Sequence, residues 1–283
     1  MKSFEYLRIN LSEVKQLELE YADDIATRED YIKHAFGASF DFSHQGKQFI
    51  YEHVATIDGY VAGFIANRTV KGLRHGQDED YKLYEAEDWK THGVLIDSTE
   101  HPDGQKIAFE HGMIRESENF FASLAKAINA SHRTAKWEMQ IGTIGRRQKY
   151  IEAAKQHKGK ITKLSFRILA KNMDYNIDKS VKDALDIFDE LDGRHTDHTT
   201  ISSGKGLNAD SDLADSMATY AAESGGSVKA YDKDDGIIYD SKKDVTRVPV
   251  DTEIEVDKDS DKSILALLIE KLFERRDKSD NES

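Results

Sequence analysis

The chain of 283 residues contains no cysteine and only two prolines, Pro102 and Pro249. Disulfides, Cys-ligated zinc, iron–sulfur clusters and a thiol nucleophile are thereby excluded, and a reducing compartment is compatible with the composition. Proline-rich linkers are missing, so regular elements are expected to fill most of the sequence. No apolar run approaches the roughly 18 residues that a membrane span requires, and the stretch from Met1 to Arg8 lacks the apolar core of a signal peptide. A cytoplasmic protein without direct membrane insertion is expected. Neither G-x-S-x-G nor G-x-G-x-x-G occurs, and Ser203-Gly204-Lys205-Gly206 misses the P-loop spacing and reads as a plain turn.

What the sequence does have is charge, unevenly placed. With 38% apolar and 33% charged residues it is globular in composition and long enough for one large domain or two ordinary ones. The net charge is −13. Yet residues 133–171 carry eleven Lys/Arg against only Glu138 and Glu152, while residues 1–132 hold 14 basic and 23 acidic side chains and residues 172–283 hold 15 and 28. A cationic island in an anionic surface focuses field on itself and attracts polyanions there.

The N-terminal part reads as antiparallel. Apolar alternation from Phe49 to Thr69 around Asp58-Gly59 predicts a hairpin. A second strand pair runs from Gly93 to Asp97 and, after the turn through His101 and Gly104, from Lys106 to Glu110. Phe120, Phe121, Leu124, Ala125 and Ile128 recur at helical spacing within 117–131. From Lys136 the pattern becomes strand, helix, strand, helix, with strands at 136–144, 161–171 and 197–203 and helices at 146–158, 179–191 and 210–223. Gly193 and Gly225-Gly226 supply stops. A hairpin joins Ser227–Tyr231 to Ile237–Tyr239. The closing helix over 261–276 bears Ile264, Leu265, Leu267, Leu268, Ile269, Leu272 and Phe273, an apolar face wide enough to meet a second subunit. The expected fold class is α+β: an antiparallel domain over 1–132, then an α/β-like domain over 133–283.

Strand periodicity in Ile161–Lys171 turns Leu164, Phe166 and Ile168 inward and Lys163, Arg167 and Lys171 outward, about 13 Å apart along the strand at roughly 3.3 Å per residue. Trp137, Met139 and Ile141 point inward from the preceding strand, which sets Lys136 beside that row. The helix between them adds Arg146, Arg147, Lys149, Lys155 and Lys158. Solvated helices usually intersperse signs and gain i,i+4 pairs, and this one offers few. No base-reading motif is present, so binding through these residues would be directed at the phosphate backbone.

Catalytic and metal constellations are thin. Asp97, His101, Lys106, Glu110 and His111 resemble a metal-nuclease hairpin, but Gly104 stands where the PD-(D/E)xK core places its acid. His195-x-x-His198 with Asp197 lacks a third ligand of clear spacing. No catalytic residue, metal site or cofactor is assigned. The alternatives to a nucleic-acid binder are a nuclease using Asp97 and Glu110, and a scaffold whose acidic surface meets a basic partner.

The element order, with Phe49–Val54 before an Asp-Gly turn, the strand pair at Asp97, the helix at 117–131, Trp137–Ile141, a helix, a basic strand and a closing amphipathic helix, resembles the RexA-like phage-exclusion proteins. It is similar too to bacterial proteins of like length found near phage-defence genes. The resemblance implies a non-catalytic, cytoplasmic, duplex-DNA-binding homodimer in antiviral defence, working with a membrane-protein partner and using basic positions between Lys136 and Lys171. The acidic flanks are where this chain departs from that family.

Overall fold

The first strand, β1 (Lys2–Glu13), organises the larger of two sheets. The computed structural model describes residues 2–14, 27–101, 104–112, 117–133, 135–145, 147–169, 181, 195–202, 204–245, 247–250 and 262–273. After β1 come α1 (Arg28–Phe36), β2 (Phe40–His44), β3 (Lys47–Ile57), β4 (Tyr60–Arg74), β5 (Leu83–Asp97), β6 (Lys106–Glu110), α2 (Ser117–Ser131) and β7 (Trp137–Thr143). The chain continues with α3 (Arg147–Gln156), β8 (Lys163–Leu169), β9 (His195–Ile201), α4 (Asp212–Glu223), β10 (Ser227–Tyr231), β11 (Ile237–Asp240), β12 (Arg247–Val250) and α5 (Lys262–Phe273). The class is α+β. Among the described residues no helix is long and apolar enough to cross a membrane.

The large sheet runs β12-β1-β6-β5-β4-β3-β2, with β7 also paired to β1. Leu7 and Arg8 bond to β6 and to β7 at once, so β7 continues the edge of β1 that β12 begins. Both faces of this sheet are covered around β1, which explains why β1 reads as an almost unbroken buried run. Leu7, Ile9 and Leu11 enter a core beneath α1 and α2, together with Tyr31, Phe36, Phe120, Phe121 and Ile128. Phe4, Tyr6, Ala62, Leu95 and Ala108 face the other way, against Leu265, Leu268, Ile269 and Leu272 of α5. Asn129 of α2 holds β7 through two bonds, donating to the Met139 carbonyl at 2.9 Å and accepting from the Met139 N–H at 2.8 Å.

The second sheet, β11-β10-β8-β9, buries one face under α3 and α4 through Leu164, Phe166, Ile168, Val228 and Ala230. All its neighbours are antiparallel. Among the described residues the α/β-like pattern expected for the C-terminal part therefore gives no parallel pair of strands. A helix between two strands does not make them neighbours: β7 is drawn to β1 in the large sheet, whereas β8 pairs with β9 and β10. Lys136 and the row on β8 consequently lie on different sheets. The helix expected at 179–191 lies outside the described residues, apart from Val181, and so does Gly193. β12 and α5 return to the large sheet, so a cut at 132 does not separate the two layers.

The two sheets meet at a seam of close backbone. Gly225, at φ +80°, follows α4, and a Cβ on Gly142 of β7 would stand 2.0 Å from the Gly225 carbonyl oxygen. Arg8 donates to the Glu223 carbonyl at 2.8 Å and to that of Gly104 at 2.8 Å, and Asn10 donates to the Ser224 carbonyl at 2.7 Å. The Glu223 and Ser224 carbonyls are among those that the end of a helix leaves unsatisfied.

The closing helix α5, expected to offer its apolar face to a second subunit, spends Leu265, Leu268, Ile269 and Leu272 on its own sheet, and the Tyr6 hydroxyl donates to the Leu272 carbonyl. Leu268→Ala should thus lower stability by about 2–5 kcal/mol through the cavity it leaves, read as a drop in the urea midpoint with the mass in solution unchanged. Gly142→Ala should cost about 1–3 kcal/mol by overpacking the seam, measured in the same titration; a midpoint equal to the parent's would show that the seam yields.

Candidate nucleic-acid interface

On β8 the expected alternation holds: Leu164, Phe166 and Ile168 are buried, and Lys163 and Arg167 lie on the open face of the small sheet. Antiparallel pairing then brings acids to that face. Arg167 makes a two-pronged pair with Asp197, its partner on β9, with Nε–Oδ1 and Nη2–Oδ2 both at 2.9 Å. Lys163 sits 4.5 Å from the Tyr231 ring centre, within 3.4 Å of Asp235. Lys229 of β10 lies 3.6 Å from Asp240. Each of these three cations is answered by a carboxylate. The Arg167 guanidinium holds the Asp197 carboxyl below the usual carboxylate range, against a smaller opposing effect of burial, and its own pKa is raised in return.

The other predicted cations divide between paired and open. Lys136 reaches Glu13 at 3.3 Å and lies 5.0 Å from the Trp137 ring, which Arg28 also approaches, at 5.2 Å. Lys149 pairs with Glu152 at 3.0 Å. Lys158 donates to Asp210 at 2.8 Å and, with Lys155, keeps that carboxyl below its ordinary range. Lys155 is exposed and among the described residues forms no salt bridge. Arg146, Lys171 and the Arg147 side chain lie outside the described residues.

A cluster invisible to sequence periodicity forms where α3 ends. The turn His157-Lys158-Gly159-Lys160, with Gly159 at φ +74°, lies against Gly206, which follows Lys205. A Cβ on Gly206 would stand 2.5 Å from the Gly159 carbonyl oxygen, and the Leu207 N–H donates to the Ile161 carbonyl at 2.7 Å. Lys205, assigned to a plain turn, is thereby added to Lys155, Lys158 and Lys160. All four are exposed. Asp210, through its contact with Lys158, lies beside this patch. The signal available in sequence was the pair of glycine turns, and nothing in their spacing says that they interlock.

The hairpin at Asp97 holds a dyad. Asp97 is buried and accepts from the Thr99 N–H at 3.1 Å, and its other oxygen lies 2.8 Å from His101 Nε2. Burial pushes its carboxyl up, opposed by His101. The neighbouring Ser98 hydroxyl turns away, to the Gly59 carbonyl. Glu110, the other acid of the nuclease alternative, donates nothing to this place. It accepts from the Gly93 N–H, four residues and roughly 13 Å along the strand from Asp97, so the two carboxylates cannot share one ion. His195 and His198, three apart on a strand, point to opposite faces. Among the described residues no three His, Asp or Glu side chains converge as metal ligands.

One cavity, of about 400 Å³, opens between the C-terminal ends of α1 and α2. His34 and His132 meet there edge to face at 5.1 Å, beside Ser39, Phe40 and a Lys33 already engaged by Glu29.

Arg167→Met should return the Asp197 carboxyl to the ordinary carboxylate range, visible as an upward shift in its side-chain carbon NMR titration. Because the folded-state pKa of Asp197 is lowered, its stabilisation is present above the ordinary value and fades as pH falls through the folded one. Both side chains are nearly half exposed, so the pair should contribute under about 1 kcal/mol. No family model, no curated protein and no solved structure matches this chain.

Proposed function

We propose that this protein binds the backbone of nucleic acid, with little sequence preference, through the lysine turns that close α3. The observation that carries this reading is the close approach of the Gly159 and Gly206 backbones, which joins the turn that bears Lys158 and Lys160, just after Lys155, to the one that bears Lys205; among the described residues only Lys158 of these four has a carboxylate in salt-bridge contact. Ammonium groups on exposed stems act as point charges for phosphate, without the forked geometry that reads base edges. The paired row of Lys163 and Arg167 takes a lesser part. Opening those pairs to phosphate would strand Asp235 and Asp197 against the same polyanion.

A patch this small, on a chain of net charge −13, implies weak binding. Dissociation constants of about 10⁻⁴ to 10⁻⁶ M at physiological salt are in keeping with purely electrostatic contact to duplex DNA. A role in phage exclusion or antiviral defence, with a membrane-protein partner, rests on the resemblance of element order alone.

The test is a salt titration of duplex DNA binding by the full chain. Replacing Lys155, Lys158, Lys160 and Lys205 together by Gln should reduce the slope of log K against log[salt] by roughly three to four, near 0.9 per phosphate released. Lys163→Gln with Arg167→Gln should leave the slope within one unit of the parent's. Equal slopes for the parent and the quadruple variant would overturn the proposal. Cleavage of the duplex in magnesium would instead favour a hydrolytic function.

A further inference from the structure

We infer that the ribbon made by the outer halves of β4 and β5 is the surface on which a second copy of this chain docks. Within the large sheet β4 and β5 are flanked by β3 and β6, but β3 leaves β4 at Asn67 and β6 leaves β5 at Val94. Beyond those points, among the described residues, the two strands continue alone through seven cross-strand pairs, from Arg68↔Trp89 to Arg74↔Leu83. That is about 23 Å of two-stranded ribbon. A two-stranded ribbon is marginal by itself in water, and among the described residues each of its edges is a row of backbone groups without a strand to pair with.

Its side chains match an interface rather than a solvated hairpin. Opposed residues share a face, so Val70, Leu83 and Trp89 lie together, exposed to 53%, 66% and 47%. Arg68, Arg74, Glu85 and Glu87 surround them on that same face. An apolar centre with a charged rim is the usual anatomy of a docking patch. The opposite face carries Leu73 and Tyr84, with the His75 ring against Tyr84 at 4.2 Å.

Charge identifies the occupant. Between residues 68 and 90 there are five Lys/Arg and six Asp/Glu, and Arg68–Glu87 and Lys71–Asp88 pair within the ribbon. A polyanion or a strongly basic protein would meet as much repulsion as attraction there. Another copy of the ribbon offers the same mixture in a two-fold, self-complementary contact. The rest of each molecule is strongly anionic and would repel its twin. Contact through a projection longer than two Debye lengths, about 8 Å each at physiological salt, keeps those bodies apart. The face is small, so the association is weak and reversible.

Sedimentation equilibrium of the full chain, from about 1 to 200 µM to cover a weak interface, tests this. The parent should shift from monomer towards dimer mass with concentration. Leu83→Glu combined with Trp89→Glu should remain monomeric with an unchanged far-UV spectrum. Leu213→Glu, which places the same charge on an exposed position of α4, should associate as the parent does. If the Glu pair does not fold, Val70→Thr with Leu83→Thr, which suits a strand, should weaken association at least tenfold. A parent that stays monomeric throughout, or ribbon variants that associate like it, would overturn the inference. DNA is absent from the measurement, so its outcome is independent of the lysine patch.

Discussion

Arg8 and Asn10 lie in the middle of a strand and spend their side chains on the end of a helix in the other half of the fold. A helix leaves its last carbonyls without partners and with partial negative charge, and here that end is turned into the seam, with Ser224 buried and Glu223 partly so. A guanidinium and an amide on β1 serve it. The contact fixes where α4 ends, and Gly225 and Gly142 then bring the two sheets within backbone distance. The small sheet, the turn that closes α3 and the lysines it gathers are all placed relative to β1 through this seam.

The electrostatics of the molecule follow from long-range pairing more than from local composition. The segment rich in Lys and Arg has almost no acid of its own, yet Arg167, Lys158 and Lys163 find carboxylates 30, 52 and 72 residues further along the chain. Each pair is exposed or partly so, and individually worth little to stability. Their effect on function is larger, because a lysine matched by a fixed carboxylate presents little net field to a phosphate. What remains open is set by which turns interlock.

Hydrophobic surface is distributed by the same logic. The apolar face of α5 closes a core that the large sheet could not complete alone. On the ribbon, by contrast, Val70, Leu83 and Trp89 stay in water, because among the described residues no layer extends so far. Excess apolar surface was legible in the sequence only where a helix displayed it in one stripe. On strands it is hidden in an alternation that looks like ordinary sheet.

The sequence by itself determined the local elements. The Asp58-Gly59 hairpin, the strand pair ending at Asp97, α2, the inward and outward faces of β8 and the β10–β11 hairpin all follow from side-chain period and turn chemistry, which act between residues a few positions apart. It also determined a positively charged middle and negative flanks. Tertiary structure decided which strands became neighbours, sending β7 to β1 and leaving β8 to pair antiparallel with β9 and β10. It decided too that Lys163 and Arg167 would meet carboxylates, that Lys205 would join the turn after α3, and that α5 would be covered while the ribbon was not. The reason is that strand partners and ion pairs are chosen by where the whole chain can bury its apolar faces and satisfy its backbone, and no local pattern carries that information.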